Sequence, residues 1–276
     1  MLRDRARSAA ILVPPLLLAL WLGGGWILLV VGLATAVGAW EAFRLLTAAG
    51  HASFPALGVV AAVVIALGDS VKVVPGGSGI LLAGLAVVLI GIGALTRRDP
   101  REGLAVFATT TFAAMYVGLL GFVARLASTD AFVDRSAILG WLGSDRAWIL
   151  TLVLVVWGFD TAAYIVGRRF GRTPFMHHIS PKKTLEGVGG GLVASLIVGV
   201  VLFVALGRPA IAGAIFGVLV AAAAQAGDLA ESMLKRAAGA KESSRLIPGH
   251  GGLLDRIDSF LFAAPVAFFF VVAVLR

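Results

Sequence analysis

Between Gln225 and Ser259 the sequence QAGDLAESMLKRAAGAKESSRLIPGHGGLLDRIDS gathers acids, bases, a histidine and glycines. The chain around it is 59% hydrophobic and only 14% charged. Ionisable groups at bilayer depth are costly, so they mark function by default. Asp228, Glu231 and Lys235 fall at i, i+3 and i+7, which puts them on one helical face with Ser232 alongside. Asp228 follows ten mostly apolar residues and reads as functional. For Glu231 the plainer alternative is an intrahelical pair with Lys235 at the membrane border.

A second cluster runs from Pro248 to Ser259. Pro248-Gly249 and Gly251-Gly252 flank His250. Such glycines let a backbone take unusual angles and approach a ligand closely, and a loop leading into a helix can offer N–H groups to an anion. Asp255 and Asp258 follow at i and i+3, on one face of a first helical turn, with Arg256 between them. Two adjacent carboxylates repel, and a hard divalent cation such as Mg²⁺ relieves that repulsion. Helix N-terminal acids that complement the dipole are the alternative for either acid.

The third cluster is WGFDTAAYIVGRRFGRTPFMHHISPKKT, Trp157 to Thr184. Asp160 lies inside an apolar helix. Arg168, Arg169 and Arg172 follow, and they serve equally as topology signals or as phosphate contacts. Ser180, Lys182, Lys183 and Thr184 form a candidate anion cradle before a glycine-rich helix start, with lysine acting as a point charge on phosphate. His177 and His178 lack a third partner at metal-ligand spacing and read as loop histidines. The chain has no phosphate-binding loop of the G-x₄-G-K-[ST] form, no G-x-G-x-x-G, no H-E-x-x-H and no nucleophile elbow. Acids that hold metal, bases that hold phosphate and a glycine-rich loop together fit phosphoryl or nucleotidyl transfer from a soluble nucleotide to a lipid. Such transfer rests on positioning and charge neutralisation, and two metal ions could serve it.

The elements that must carry these groups are apolar helices. A core about 30 Å thick takes roughly 20 apolar residues per helix, so 276 residues hold about eight to ten spans and no separate soluble domain. Nine apolar segments stand out: Ala9–Leu22, Trp26–Leu45, Ala56–Leu67, Ile80–Leu95, Leu104–Leu126, Trp148–Val166, Gly187–Leu206, Ile211–Met233 and Ile257–Leu275. The expectation is an all-α polytopic integral membrane protein of about nine transmembrane helices. The basic start resembles a signal peptide, but with no clear cleavage site the first segment reads as an uncleaved helix.

With a cytoplasmic N-terminus, 17 of the 23 Lys and Arg residues fall on the inner side, from Arg3, Arg5 and Arg7 through Arg256. The remainder, including Lys72 and Arg276, fall outside, as the positive-inside rule favours. The formal charge of +8 then marks cytoplasmic loops facing anionic lipid, and nucleic acid is not an expected partner. The chain has no cysteine, so no disulfide and no thiolate metal site. Residues 1–147 read as a scaffold of transmembrane helices with a lipid-facing cavity, with little of chemical interest beyond Glu41 and Arg44. Residues 148–276 read as the catalytic region.

The second half resembles the phosphatidate cytidylyltransferases, also called CDP-diacylglycerol synthases. The family motif runs S-x-x-K-R, four residues, K-D, then P-x-H-G-G-x-x-D-R-x-D. Here Ser232, Lys235, Arg236, Lys241, Pro248, His250, Gly251, Gly252, Asp255, Arg256 and Asp258 match it, and the block Ile179–Gly187 is similar too. One departure is Glu242 in place of the family's aspartate.

The resemblance implies transfer of CMP from CTP to phosphatidic acid, giving CDP-diacylglycerol and pyrophosphate, with Mg²⁺ and room for a second ion. It implies Asp228, Asp255 and Asp258 as the metal-linked acids. Lys235, Lys182, Lys183 and Arg236 would meet phosphates, and Ser180, Thr184, Lys241, His250, Gly251, Gly252 and Arg256 would shape the substrate site. Asp160 would contact the nucleotide or bond helix to helix. It also implies a homodimer. The compact chain suggests a bacterial inner (plasma) membrane, and the charge asymmetry puts the site on the cytoplasmic side. A CTP-dependent lipid kinase or a cytidylyltransferase for another lipid would share these features. A transporter would spread its acids across the membrane depth.

Overall fold

A computed structural model describes residues 14–70, 79–131, 133–249 and 251–275. Among them the ordered elements are helices: α1 (Gly25–Ala48), α2 (Pro55–Leu67), α3 (Gly79–Ala94), α4 (Pro100–Gly118), α5 (Gly121–Ala127), α6 (Gly143–Phe170), α7 (Leu185–Ala205), α8 (Ala210–Ala237) and α9 (Leu254–Val274). A helical stretch over 14–22 precedes α1. The expected span Ala9–Leu22 therefore lies partly outside the described residues. So do Arg3, Arg5, Arg7, Lys72, His250 and Arg276.

Among the described residues six stretches are long and apolar enough to cross a membrane: Gly25–Ala48, Pro100–Ala127, Gly140–Phe170, Leu185–Ala205, Ala210–Ala237 and Leu254–Val274. The expected spans at Ala56–Leu67 and Ile80–Leu95 are apolar helices of 13 and 16 residues. At 1.5 Å of rise per residue they reach only about 20–24 Å, short of a hydrocarbon core of about 30 Å. Of the eight expected segments that lie wholly among the described residues, six qualify by length. The expected segment Leu104–Leu126 is broken, because α4 ends at Gly118 and α5 restarts at Gly121. Packing explains the break: a Cβ at Gly121 would run into the backbone of Ala66, and one at Gly118 into Ile65.

The chain forms two compact units. The first joins Met1–Arg125 with Met233–Leu261. Within it α2 packs against α1, α3 and α4. The buried Phe43 ring of α1 lies where a Cβ on Gly58 of α2 would have to go. Asp99 caps α4 by accepting from the Arg101 amide (2.9 Å), with Pro100 at the first helical position; both are ordinary helix-start devices.

The second unit joins Leu126–Ser232 with Phe262–Arg276. Its centre is aromatic. Trp148, Phe203 and Phe216 are fully buried, and ring centroids lie 5.5 Å apart for Trp148–Phe203, 5.1 Å for Phe203–Phe216 and 5.5 Å for Phe216–Phe270. Small residues bring α7 close to its neighbours. A Cβ at Gly191 would meet Phe159 of α6, and one at Gly217 of α8 would meet the Ser195 carbonyl of α7. The buried Ser195 hydroxyl donates to the Val155 carbonyl of α6 (3.2 Å). Such close backbones are how helices associate in lipid, where apolar burial between helices supplies no driving force.

Candidate active site

The polar groups gather at two centres, one in each unit. In the second unit, Lys183 stands at the end of a folded loop. The Phe175 amide donates to the Lys183 carbonyl (2.8 Å), the Leu185 amide to the Thr173 carbonyl (2.9 Å) and the Lys183 amide to the Ser180 carbonyl (3.2 Å). Glu186 ties the other side, accepting from the amides of Arg172 (3.0 Å) and Thr173 (3.1 Å) and from the Thr173 hydroxyl (2.8 Å). Thr184 caps α7 by accepting from the Gly187 amide. The sequence-predicted Thr184 therefore acts first as a helix cap.

The Lys183 ammonium, so held, forms a short ion pair with Asp228 of α8, and the Ser232 hydroxyl donates to the same carboxylate (3.3 Å). Both charged side chains are partly buried, so solvent screens the pair less than it would at the surface. Lys182 is exposed, as are Arg168, Arg169 and Arg172. Asp160 is exposed on α6, and Ser180 is half-buried.

The second centre, in the first unit, surrounds Asp255 in the first turn of α9. Its Oδ1 accepts from Lys235 Nζ (2.6 Å), and the two side chains are 7% and 10% exposed. Its Oδ2 accepts from the amides of Ser243 (2.9 Å) and Gly252 (2.8 Å), and lies 2.9 Å from the Ser243 hydroxyl. The loop that brings these donors together turns at Gly249 and Gly251, whose φ values of 75° and 81° suit glycine. It is closed by the Ile247 amide donating to the Gly251 carbonyl (2.8 Å). Gly252 has no room for a side chain, since a Cβ there would fall on Ser243 Oγ and on the carboxylate of Glu41. The sequence reading has these glycines admit a ligand; the neighbours they admit in the fold are Asp255 of α9 and Glu41 of α1.

Glu41 is the residue the sequence reading noted in the first half without giving it a role. It is fully buried in α1. Its Oε1 accepts from Ser244 Oγ (2.5 Å) and Leu253 N (3.1 Å). Its Oε2 accepts from Leu254 N (2.7 Å) and lies 3.0 Å from Ser243 Oγ. The Ser243 hydroxyl thus bridges two carboxylates, Glu41 and Asp255, with one proton to give. An acid in an apolar helix was the available signal. Its partners lie over 200 residues further along the chain, so spacing could not find them.

The remaining candidates of this unit sit around that centre. Arg236 donates to the Ala240 carbonyl (2.9 Å), and Arg256 is exposed. Asp258 accepts from the Ser259 amide (2.6 Å). Lys241 joins Trp40, Arg44, Ser244 and Arg245 around a cavity of about 660 Å³, where the Arg44 guanidinium stacks 4.8 Å over the Trp40 ring.

A cation would find an uneven set of donors. Both oxygens of Asp255 already take hydrogen bonds from the protein. Among the described residues no group of three His, Cys, Asp or Glu side chains gathers as a ligand set. Mg²⁺ needs less than that, because it keeps several waters and binds one or two carboxylates together with substrate phosphates. The residues fit that mode of binding.

The sequence profile of the cytidylyltransferase family matches residues 3–274. The chain is 50% identical over 122 residues to "Phosphatidate cytidylyltransferase" of Synechocystis, covering 44% of this chain and 41% of that protein. It is 35% identical over 276 residues to "Phosphatidate cytidylyltransferase 5, chloroplastic" of Arabidopsis thaliana, covering 91% and 67%. It is also 35% identical over 162 residues to the Bacillus subtilis protein of the same name, covering 58% and 56%. The aligned stretch is thus less than two thirds of the Synechocystis and Bacillus proteins.

Proposed function

The chain belongs to the cytidylyltransferase family, and on that premise we propose that it is a phosphatidate cytidylyltransferase, an integral membrane nucleotidyltransferase that joins CMP from CTP to phosphatidic acid. An oxygen of the phosphatidate phosphate attacks the α-phosphorus of CTP. The bond from that phosphorus to the bridging β-phosphate oxygen breaks, and pyrophosphate leaves. The attacking phosphate is ionised at neutral pH, so the step needs no general base. What it needs is alignment and relief of repulsion between anions.

Lys183 and Lys235 supply that relief. Each is held against a carboxylate, Asp228 and Asp255 respectively, and each can turn its charge toward a phosphate that arrives. Asp255, with both oxygens engaged, orders the loop that presents Gly251 and Gly252, and His250 directly precedes them in sequence. Arg44, Lys241 and Arg245 around their cavity suit an anionic headgroup. Mg²⁺, when bound, would neutralise charge on the triphosphate; in the first unit Asp258 would hold it, with Asp255 joining if it exchanges its lysine, and in the second unit Asp228 would hold a second ion. Ser180, Lys182, Thr184, Arg236, Arg256 and Asp160 are secondary contacts in this reading.

The protein would sit in a bacterial plasma membrane with its N-terminus and its site on the cytoplasmic side, where CTP is found. Nine spans would include the two short helices, and the active form would be a homodimer.

The observation that carries the reading is the family match across residues 3–274, since both lysine–carboxylate centres fall inside it. The test is turnover by detergent-purified protein given CTP labelled at the α-phosphate, phosphatidic acid and Mg²⁺. The expected product is a labelled lipid that depends on phosphatidate, disappears with EDTA and returns with added Mg²⁺. Label in lipid from γ-labelled CTP instead would replace this reading with a lipid kinase. No labelled lipid from folded protein would overturn the substrate assignment.

A further inference from the structure

We propose that Glu41 is a positioning residue for this transfer: its buried carboxylate holds the 243–254 segment in the form that the Asp255–Lys235 centre requires. The inference deepens the proposed activity and, for its kinetic arm, rests on it.

Glu41 meets only donors. Two backbone amides, Leu253 N and Leu254 N, and two hydroxyls, Ser243 Oγ and Ser244 Oγ, converge on its two oxygens. Hydroxyls can turn round and accept, but amides cannot. One amide addresses Oε1 and the other Oε2, so the pocket is built for an ionised carboxylate. A carboxamide would point its NH₂ at one amide or the other. An aspartate would be one methylene short.

The contacts fall where they govern the centre. Leu253 and Leu254 open α9, directly before Asp255. Ser243 supplies both an amide and a hydroxyl to Asp255 while its hydroxyl also reaches Glu41. Gly252, which donates to Asp255, is packed against Glu41 as well. Glu41 thus fixes three of the groups that hold Asp255 in place, without being placed to touch a substrate itself. A displacement of about 1 Å in a reacting group can cost roughly 10²-fold in rate, even when the change is made elsewhere.

The test compares Glu41→Gln and Glu41→Asp with Gly58→Ala. The last presses a methyl on Phe43, two residues from Glu41, and loosens the same helix without touching the loop. Three readouts are taken on detergent-purified protein: thermal midpoint, kcat and KM for CTP and phosphatidate, and hydrogen exchange of peptides covering 243–254. Glu41→Gln is expected to lower kcat about 10²-fold with both KM values near wild type and to lose exchange protection over 243–254. Gly58→Ala is expected to lower the midpoint and keep both kcat and that protection. Glu41→Asp, which keeps the charge, falls between them and serves if the glutamine variant does not fold.

Wild-type kcat in Glu41→Gln, a loss no greater than its midpoint predicts from Gly58→Ala, or unchanged protection over 243–254 would each overturn the proposal. If wild-type protein makes no CDP-diacylglycerol, the proposed activity fails. The exchange comparison then still decides whether Glu41 positions the loop.

Discussion

Replacing Asp255 by Asn separates the part this residue plays in stability from the part it plays in catalysis. The asparagine has one carbonyl oxygen for the four donors that now meet two. It can keep that oxygen on the Ser243 and Gly252 side, where three donors converge, and turn its NH₂ toward Lys235, or it can do the reverse. The first sacrifices one contact and the second sacrifices both amide contacts, so the first prevails and the cost falls on Lys235. That ammonium is only 10% exposed and loses the Asp255 charge. Breaking a buried pair costs about 3–5 kcal/mol; with some solvent access remaining, about 3 kcal/mol is expected, or roughly 6–12 °C in thermal midpoint for a chain of this size.

Adding Lys235→Met removes the ammonium that has lost the Asp255 charge. The double variant should then be more stable than the sum of the single changes by at least about 1 kcal/mol. Turnover should behave oppositely, down by about 10²-fold or more in both single variants and in the double. Thermal unfolding followed by tryptophan fluorescence and CMP transfer on the same preparations measure both. An unchanged midpoint in Asp255→Asn, or strictly additive single changes, would refute the reasoning. Activity regained in the double would show that the pair is structural alone.

Two further outcomes test the second unit. Lys183→Met removes a pair that is 21% and 30% exposed, so it should cost only about 1 kcal/mol, roughly 2–4 °C in thermal midpoint; kcat/KM for CTP, read by steady-state turnover, should still fall about 10²-fold if Lys183 meets phosphate. Gly217→Ala places a methyl on the Ser195 carbonyl and should destabilise by about 1–3 kcal/mol, whereas Gly189→Ala, with nothing near its Cβ, should leave the thermal midpoint unchanged.

Much of this architecture was legible because lipid imposes a single rule, that backbone polar groups be satisfied within apolar helices. Ala56–Leu67 and Gly187–Leu206 were read within two residues of α2 and α7. The misses have physical causes. The apolar window Trp148–Val166 understated α6, which continues through Asp145 and Arg146 at one end and Arg168 and Arg169 at the other. Hydropathy finds where a helix meets lipid, while helix propensity carries it past that boundary. The break after Gly118 depends on which backbone lies opposite, and no local pattern encodes that.

At the candidate site, spacing along one helix nominated Asp228 and Lys235 but could not pair Lys183 with Asp228 across 45 residues. It nominated Asp255 as a metal ligand because Asp258 stands one turn away and two adjacent carboxylates repel. Folded, the Asp255 carboxylate takes hydrogen bonds from Ser243 and Gly252 of the loop and from Lys235 of α8, partners that the spacing of acids does not reveal.

The reach of Glu41 has a consequence for how the protein is made. Its donors follow it by 202 to 213 residues. At about 5–20 residues per second, roughly 10–40 s of synthesis separate the acid from the groups that hold it. During that interval the first helix carries a carboxyl group whose partners do not yet exist, and an unpartnered charge does not rest in hydrocarbon. Glu41 therefore has to stay within reach of water until they arrive. It takes up its final contacts only once Ser243, Ser244, Leu253 and Leu254 have been delivered, so this part of the first unit closes long after α1 is made.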